Sequence, residues 1–474
     1  MGTRGVAADW PGDLQWVNTP QPPELAGLRG HVVLVWFWSF DQVNCWNVAH
    51  ALARLERKYY DGLAVVGMHC PKYPYQHAIA PVLQAVNRLG IRHPVASDPE
   101  FRVWREHEIS AWPSMLLIDA TGRVAARYSG EGTLDPLDAH IAALLDEAAM
   151  QDARSYEPVA PALRPEPRTA LAFPSGLLIE RERIWVADSG HGRVLECNRS
   201  GRILRSFGGA VGMAGGAAPG RGLISDPRGL AACDDAICVA DAGSHSILSI
   251  DRASGEVQTM LGTGVAGHAR PQGAGADATP INTPLGLAVM QQRLFVTLAG
   301  QHQVWMIDRA SGTVSVLAGS GEPGLVDGPG AEARLAQPSG LAVLGSELVL
   351  ADAAASALRT VDAAGQVATL VGQGLYVFGD AAGTRESARL QNPLAVAADP
   401  RGIVYLADSY NNAIKLFDRR SGKLHALPLR HELAEPQALA LAPGRLWIAN
   451  TNRHEILAVD LASGTCTRVP VGEM

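Results

Sequence analysis

Two cysteines in the first part of the chain are placed where thiol chemistry could occur. Cys45 follows an apolar run, residues 31–38, and Cys70 follows a second one, residues 63–68. Continuously apolar runs of this length are typical of buried parallel strands, so both cysteines are predicted at the same sheet edge. Dithiol exchange needs a thiolate that attacks and a second thiol that resolves the mixed disulfide. A redox pair of Cys45 with Cys70 is one interpretation, and two separate reduced thiols are the other.

Alternating strands and helices must position these cysteines. Besides the two apolar runs, the predicted elements are helices at residues 45–60, 81–89 and 134–150 and a hairpin of strands at 114–119 and 123–128. Strand and helix in alternation predict a small α/β sheet over residues 1–150.

Two short sequence motifs within this predicted domain resemble those of a known family. Phe37-Trp38-Ser39 after the first strand and Ala111-Trp112-Pro113-Ser114 before the third resemble a thioredoxin-like domain of the TlpA and redoxin branch. The resemblance implies that Pro113 is the cis-proline that faces the active site.

The chain departs from that family at the redox motif. The family places Cys-x-x-Cys after the first strand, and this chain has Gln42, Val43, Asn44 and Cys45 there. The nucleophilic position is therefore Gln42. Cys45 alone cannot complete a dithiol cycle at this motif, because no second thiol is there to exchange with it.

The second half of the chain is repetitive. From residue 173 onward a Pro-x-Gly or Pro-x-Ala corner, an apolar run, an Ala-Asp pair and a polar turn return six times, beginning at Pro174, Pro227, Pro284, Pro338, Pro393 and Pro436. A period of roughly 40–50 residues with short β-runs is typical of a β-propeller with one blade per repeat. We therefore predict a six-bladed propeller over residues 171–474, after a proline-rich linker at 151–170 that stiffens toward polyproline II.

Two columns of polar residues follow the blade repeat. The aspartates are Asp188, Asp241, Asp352 and Asp408; the histidines, at the position that the NHL repeat gives to histidine, are His245, His302 and His454. The repeats resemble NHL repeats over about 300 residues. A metal site needs ligands that converge on one ion, whereas these residues stand in different blades. We interpret both columns as acceptors that hold tight turns, and we predict no metal.

Composition excludes several function classes. The formal net charge is −7 and no Lys/Arg cluster stands out, so neither nucleic acid nor an anionic membrane is an expected partner. No apolar run is long enough to span a membrane, and the first residues lack the apolar core of a secretory signal. The six cysteines show no framework spacing and predict reduced thiols in a cytoplasmic protein.

A thioredoxin-like domain followed by an NHL propeller resembles the NHL-repeat-containing protein 2 family, which carries Cys-Ile-Asn-Cys where this chain has Gln42-Val43-Asn44-Cys45. The resemblance implies a cytosolic protein with a cleft between the domains. We expect a binding or scaffold protein without a cofactor, whose unknown protein or small-molecule partner occupies that cleft or the propeller rim formed by the long glycine-rich loops. The alternatives are a thiol-disulfide oxidoreductase or isomerase acting through Cys45, with or without Cys70, and a propeller hydrolase or lyase with a metal on the channel axis.

Overall fold

The computed structural model describes residues 5–159, 169–209, 224–268, 270–271 and 279–472. The chain divides into two compact units, Met1–Pro167 and Arg168–Met474. Residues 160–168 of the predicted linker, and residues 210–223, 269 and 272–278 of two predicted rim loops, lie outside the described residues.

The first unit is a mixed sheet with flanking helices. Its strands are β1 (Gln15–Val17), β2 (Val32–Trp38), β3 (Leu63–His69), β4 (Val95–Ser97), β5 (Ser114–Ile118) and β6 (Val124–Ser129), and its helices are α1 (Val43–Lys58), α2 (Ile79–Arg88), α3 (Arg102–Glu106) and α4 (Leu134–Met150). The strand order is β1-β4-β3-β2-β5-β6. Strand β3 runs parallel to β2 and β4, and the other pairs are antiparallel. The thioredoxin-like prediction is confirmed.

Burial explains why β2 and β3 form the centre of this sheet. Every residue of both strands is buried, which accounts for their continuously apolar sequences. Helix α1 covers one face with Val48, Leu52 and Leu55, which recur at helical spacing and are all buried. The carboxyl ends of β2 and β3 lie side by side, with Trp38 paired to His69. Strand β3 leads directly to Cys70, and β2 leads through a loop into α1, which carries Cys45.

The first part of the predicted linker lies against the sheet domain. Ser155 N–H donates to the Gly30 carbonyl (2.8 Å), and the His31 Nε2 atom is 2.7 Å from the Glu157 carbonyl oxygen. Residues up to 159 therefore belong to the first unit and do not project from it as a spacer.

The second unit is a six-bladed β-propeller, as predicted. Its four-stranded blades are β7 (Pro174–Ile179), β8 (Arg183–Asp188), β9 (Arg193–Asn198) and β10 (Ile203–Gly208); β11 (Pro227–Cys233), β12 (Ala236–Asp241), β13 (Ser246–Asp251) and β14 (Val257–Leu261); β15 (Pro284–Met290), β16 (Arg293–Leu298), β17 (Gln303–Asp308) and β18 (Val314–Ala318); β19 (Pro338–Leu344), β20 (Glu347–Asp352), β21 (Ala357–Val361) and β22 (Val367–Val371); β24 (Ala395–Ala398), β25 (Ile403–Asp408), β26 (Ala413–Asp418) and β27 (Lys423–Leu427); β28 (Pro436–Ala442), β29 (Arg445–Asn450), β30 (Glu455–Asp460) and β31 (Cys466–Val469). The fifth blade carries an additional edge strand, β23 (Gly383–Thr384), beside β27.

Close approach between inner strands explains the Pro-x-Gly corners. A Cβ atom on Gly176 would lie 1.8 Å from the Arg228 carbonyl oxygen, and one on Gly286 would lie 2.3 Å from that of Ser339. Only glycine permits this approach. One apolar cluster is buried at each joint between successive blades, including the joint between the last blade and the first.

The ring closes by packing, and among the described residues the first and last blades exchange no strand. Strand β28 contacts β7. The Phe173 N–H donates to His454 Nδ1 (3.0 Å), and the Thr451 hydroxyl donates to the Pro174 carbonyl (2.7 Å). The two ends of the propeller are thus joined by hydrogen bonds and an apolar joint.

Candidate functional site

The loop after β2 occupies the place of a thioredoxin-like active site. Gln42 is the N-cap residue of α1, and its side-chain amide donates to the Asp41 carboxylate. Val43 and Cys45 are buried, and the Cys45 N–H donates to the Gln42 carbonyl (2.9 Å). The side-chain oxygen of Asn44 is buried and has no hydrogen-bond partner among the residues that the structure describes. The first motif position therefore holds an amide engaged with a carboxylate, where dithiol exchange requires a thiolate.

The environment of Cys45 opposes nucleophilic chemistry. The side chain is fully buried, and this burial raises the pKa of its thiol well above the usual range. The nearby carboxylates of Asp41 and Glu131 raise it further, and the backbone at Ser39 offsets part of the increase. Catalytic thiols have a lowered pKa and access to solvent, and Cys45 has neither property.

Cys70 directly follows β3, at the sheet edge from which the chain also enters α1 and Cys45. Its N–H donates to the Trp38 carbonyl (2.8 Å), and its sulfur lies 4.0 Å from Asp98 Oδ2. Burial raises the pKa of this thiol as well, with further contributions from Asp98 and Cys45. Both cysteines are free thiols. Both thiols are thus reduced, buried and held protonated.

A buried polar network surrounds the loop, and sequence reasoning missed it. Gln76 donates to Asp41 Oδ1 (2.9 Å) and to the Ser39 hydroxyl (3.0 Å), and Ser39 donates to the same carboxylate oxygen (2.5 Å). Gln76 also accepts from the N–H of Tyr73 (2.9 Å). Asp41 was visible beside the motif, but no local signal ties it to Gln76, which lies 35 residues away. The network holds the loop in a single hydrogen-bonded arrangement.

Two further groups lie near this sheet edge. The Trp112–Pro113 peptide bond is cis, and Trp112 packs against Trp104 with ring centroids 4.9 Å apart. His69, at the end of β3, is stacked on Phe40 (5.1 Å). Burial lowers the pKa of His69 to about 3, so its imidazole is neutral and is a poor proton acceptor.

The aspartate column in the propeller binds backbone amides. Each carboxylate accepts a hydrogen bond from one backbone N–H: Asp188 from Ala172 (2.7 Å), Asp241 from Asp226 (2.6 Å), Asp352 from Ala336 (2.6 Å) and Asp408 from Gln391 (2.7 Å). In the sixth blade Asn450 accepts the corresponding bond from the N–H of Ala434 (2.7 Å). The third blade has Leu298 at this position, and Gln301 accepts the bond from the N–H of Asn282 instead (3.0 Å). Each side chain lies at the end of the second strand of its blade or in the turn after it. It thus fixes the loop that precedes the first strand of the same blade.

The histidine column joins neighbouring blades. His245 and His302 accept through Nδ1 from the N–H of Thr283 and Gln337 (3.1 Å each), just as His454 accepts from Phe173. All three histidines have a positive φ. Their bonds therefore reach the next blade and do not stay within their own turn, which is a longer-range role than the sequence suggested.

The channel mouth is crossed by side chains. Arg228 at the start of β11 donates to Gln437 Oε1 at the start of β28 (3.0 Å), and these strands lie on either side of β7 in the ring. Gln437 donates in turn to Glu435 Oε1 (2.8 Å). Within the described ranges no group of three or more His, Cys, Asp or Glu side chains is placed to hold a metal ion.

The prediction of six reduced cysteines is wrong at one pair. Cys233 and Cys238 form a disulfide across the hairpin between β11 and β12. The two-residue turn Asp234-Asp235 between the strands brings the cysteines together, with Cα atoms 6.1 Å apart. The spacing of five residues was visible in the sequence, but only the hairpin gives it meaning.

None of the helices in the described part of the chain is long and apolar enough to cross a membrane.

Comparison with known proteins agrees with this architecture. No protein-family model matches the chain. It is 31% identical over 527 residues to NHL repeat-containing protein 2 of Bos taurus, covering 98% of this chain and 72% of that protein. It is also 31% identical to Protein SUPPRESSOR OF QUENCHING 1, chloroplastic, of Arabidopsis thaliana, over 98% of this chain and 47% of that protein. Protein DipZ of Mycobacterium bovis is 36% identical over 147 residues, 30% of this chain and 21% of its own length. The chain therefore belongs to the NHL repeat-containing protein 2 family.

Proposed function

We propose that this chain is a binding or scaffold protein, in which the propeller rim presents the contact surface and the thioredoxin-like domain performs no dithiol exchange. The burial of Cys45, beside an amide at the nucleophile's position, carries the proposal. A thiol that is buried and held protonated packs as a small apolar side chain does.

The rim has the construction that a binding surface needs. Long loops on a rigid scaffold are where binding residues concentrate. Here such loops are anchored at their bases by buried charges. Lys415, which is 2% exposed, bonds to Asp408 (2.6 Å), to Asp380 in the loop (2.8 Å) and to the Arg389 carbonyl (3.0 Å). Anchored loops lose little conformational entropy on binding.

A thiol-disulfide oxidoreductase is the second candidate, because Cys45 and Cys70 are both free and share a sheet edge. For it to act, a movement of the loop would have to expose Cys45. The location is proposed to be cytoplasmic. An oxidising compartment is the alternative, favoured by the disulfide in the propeller and by the one relative that is named as chloroplastic.

Partner capture separates the two functions. Full-length protein and its Cys45→Ser variant are each used to isolate partners from cell extract, with and without reductant. The binding function predicts the same partners in the same amounts from both proteins under both conditions. Partners that disappear with Cys45→Ser, or that are released only by reductant, would identify a mixed disulfide and overturn the proposal.

A further inference from the structure

A groove opens on the propeller rim between the fourth and fifth blades. Its cavity of about 430 Å³ is lined by Leu325 and Asp327 from one loop, by Thr369 of β22, and by Gln373, Arg385 and Glu386 from the next loop. Ligand pockets commonly have volumes of about 300–1,000 Å³, so this cavity is large enough for a few side chains of a bound peptide.

The acidic wall of the groove is rigid. Asp327 accepts from the hydroxyl (2.6 Å) and the N–H (3.0 Å) of Thr369 and from Arg359 (2.9 Å), whose side chain is fully buried. The Asp327 side chain nevertheless remains 38% exposed. Arg385 lies 3.5 Å from it and is 55% exposed, so this contact is weak and open to exchange. A carboxylate held in this way is preorganised for an incoming cation.

Exposed apolar side chains lie close in sequence to the residues that line the groove. Val326 (45% exposed) lies between Leu325 and Asp327 in sequence, while Tyr376 (75%) and Val377 (37%) follow Gln373. Leu325 and Leu375 pack on the buried alanine turn of the fourth blade. These two loops hold three of the five large exposed apolar side chains described in the propeller; the other two are Leu204 and Val265. Concentrated exposed apolar surface marks interaction sites.

The charge of the two loops indicates the chemistry of the partner. Residues 319–337 and 372–392 together contain five carboxylates and three arginines, a net charge of −2. Of the arginines, Arg389 is engaged with Gln373 (3.0 Å) and with backbone carbonyls. A basic partner is therefore favoured over an acidic one.

We propose that this groove binds an extended peptide segment in which a basic side chain stands beside an apolar one. The basic group pairs with Asp327 and Glu386 in place of Arg385, and the apolar group packs on Leu325, Val326 and Tyr376. This inference rests on the proposed binding function. It specifies the part of the rim that binds and the class of partner that is bound.

A random dodecamer library displayed on phage tests the assignment, with full-length protein as bait. The recovered peptides should be enriched in Lys or Arg adjacent to Leu, Ile or Phe. Their affinity should fall at least about fivefold with Tyr376→Ser and with Glu386→Gln. Both positions are exposed, so neither change removes a core contact. Matched control variants on the first blade, Leu204→Ser and Glu182→Gln, should leave the affinity unchanged.

Three results would overturn the assignment: recovery of no specific peptide, enrichment of acidic peptides, or binding that the groove variants leave unaltered. These outcomes are separable from failure of the binding function itself. If partner capture from extract is independent of Cys45 and also insensitive to the groove variants, the binding function stands and the groove is rejected. If capture depends on the Cys45 sulfur, the binding function fails.

Discussion

The amide of Gln76 donates to Asp41 Oδ1 over 2.9 Å and ties the loop after β3 to the loop that precedes α1. Asp41 in turn accepts from Gln42, which stands at the nucleophile's position of the family motif. The loop at the position of the family motif is thus held by a hydrogen-bonded network of amides and a carboxylate. The network stabilises the loop and contains no group that exchanges electrons.

Restoring the missing sulfur should restore redox activity. Gln42→Cys places a thiol at the N-terminal end of α1, where the helix dipole lowers a thiol pKa. We expect this variant to reduce insulin disulfides in the presence of dithiothreitol at a rate well above that of the wild type. Gln42→Ser, which alters the same hydrogen bond without adding sulfur, is the matched control and should remain inactive. An inactive Gln42→Cys protein would mean that the loop geometry, and not only the residue type, excludes this chemistry.

The bond that closes the propeller should contribute measurably to stability. His454→Ala leaves the Phe173 N–H without its acceptor and puts a non-glycine residue without a polar side chain at φ 55°. Together these effects should lower the free energy of unfolding by about 2 kcal/mol in urea titration. His454→Asn should cost less than about 1 kcal/mol, because Asn412 makes the equivalent bond to Glu435 N–H (2.8 Å). Equal losses for both variants would contradict this role for the side chain.

Asp241 should make part of the stability depend on pH. Burial raises the pKa of this carboxyl from 3.8 to about 6, and hydrogen bonds from Ser244, Asp226 and Ser225 partly offset the increase. Because the folded pKa lies above the unfolded value, the stabilising contribution of the bound proton is fully present below about pH 4 and is lost as the pH rises through 6. The stability advantage of the wild type over Asp241→Asn should therefore be larger at pH 5 than at pH 7.5 by about 1 kcal/mol.

Gln301→Ala is the control for that experiment. Gln301 accepts the corresponding backbone hydrogen bond in the third blade through an amide that does not titrate. The cost of its substitution should be the same at both pH values. A constant cost for Asp241→Asn as well would show that burial does not perturb this carboxyl.

Counting thiols tests the disulfide. With thiols blocked at lysis, the denatured protein should carry four blocked cysteines, Cys45, Cys70, Cys197 and Cys466, and reductant should release two more. The bond closes a short loop, so reducing it should lower stability by about 2 kcal/mol. Six cysteines blocked before reduction would exclude the bond in the cell.

The predictable and unpredictable parts of this structure differ in the range of the forces behind them. The apolar strands have local causes and the Pro-x-Gly corners recur at a regular period, so the two folds followed from the sequence. Gln301, which takes over the missing acceptor of the third blade, and Gln76, which organises the motif loop, act across the fold and leave no pattern in the chain. Cys233 and Cys238 were misjudged for a related reason, since their pairing depends on the register of one hairpin.

Insulin reduction by the wild-type protein tests the central claim most directly. The wild type and Cys45→Ser are compared with Gln42→Cys as the positive control. A buried, protonated Cys45 without a partner at its motif predicts that the wild type and Cys45→Ser both stay at the uncatalysed rate. Robust turnover by the wild type that Cys45→Ser abolishes would contradict the binding account and establish the protein as a thiol-disulfide oxidoreductase.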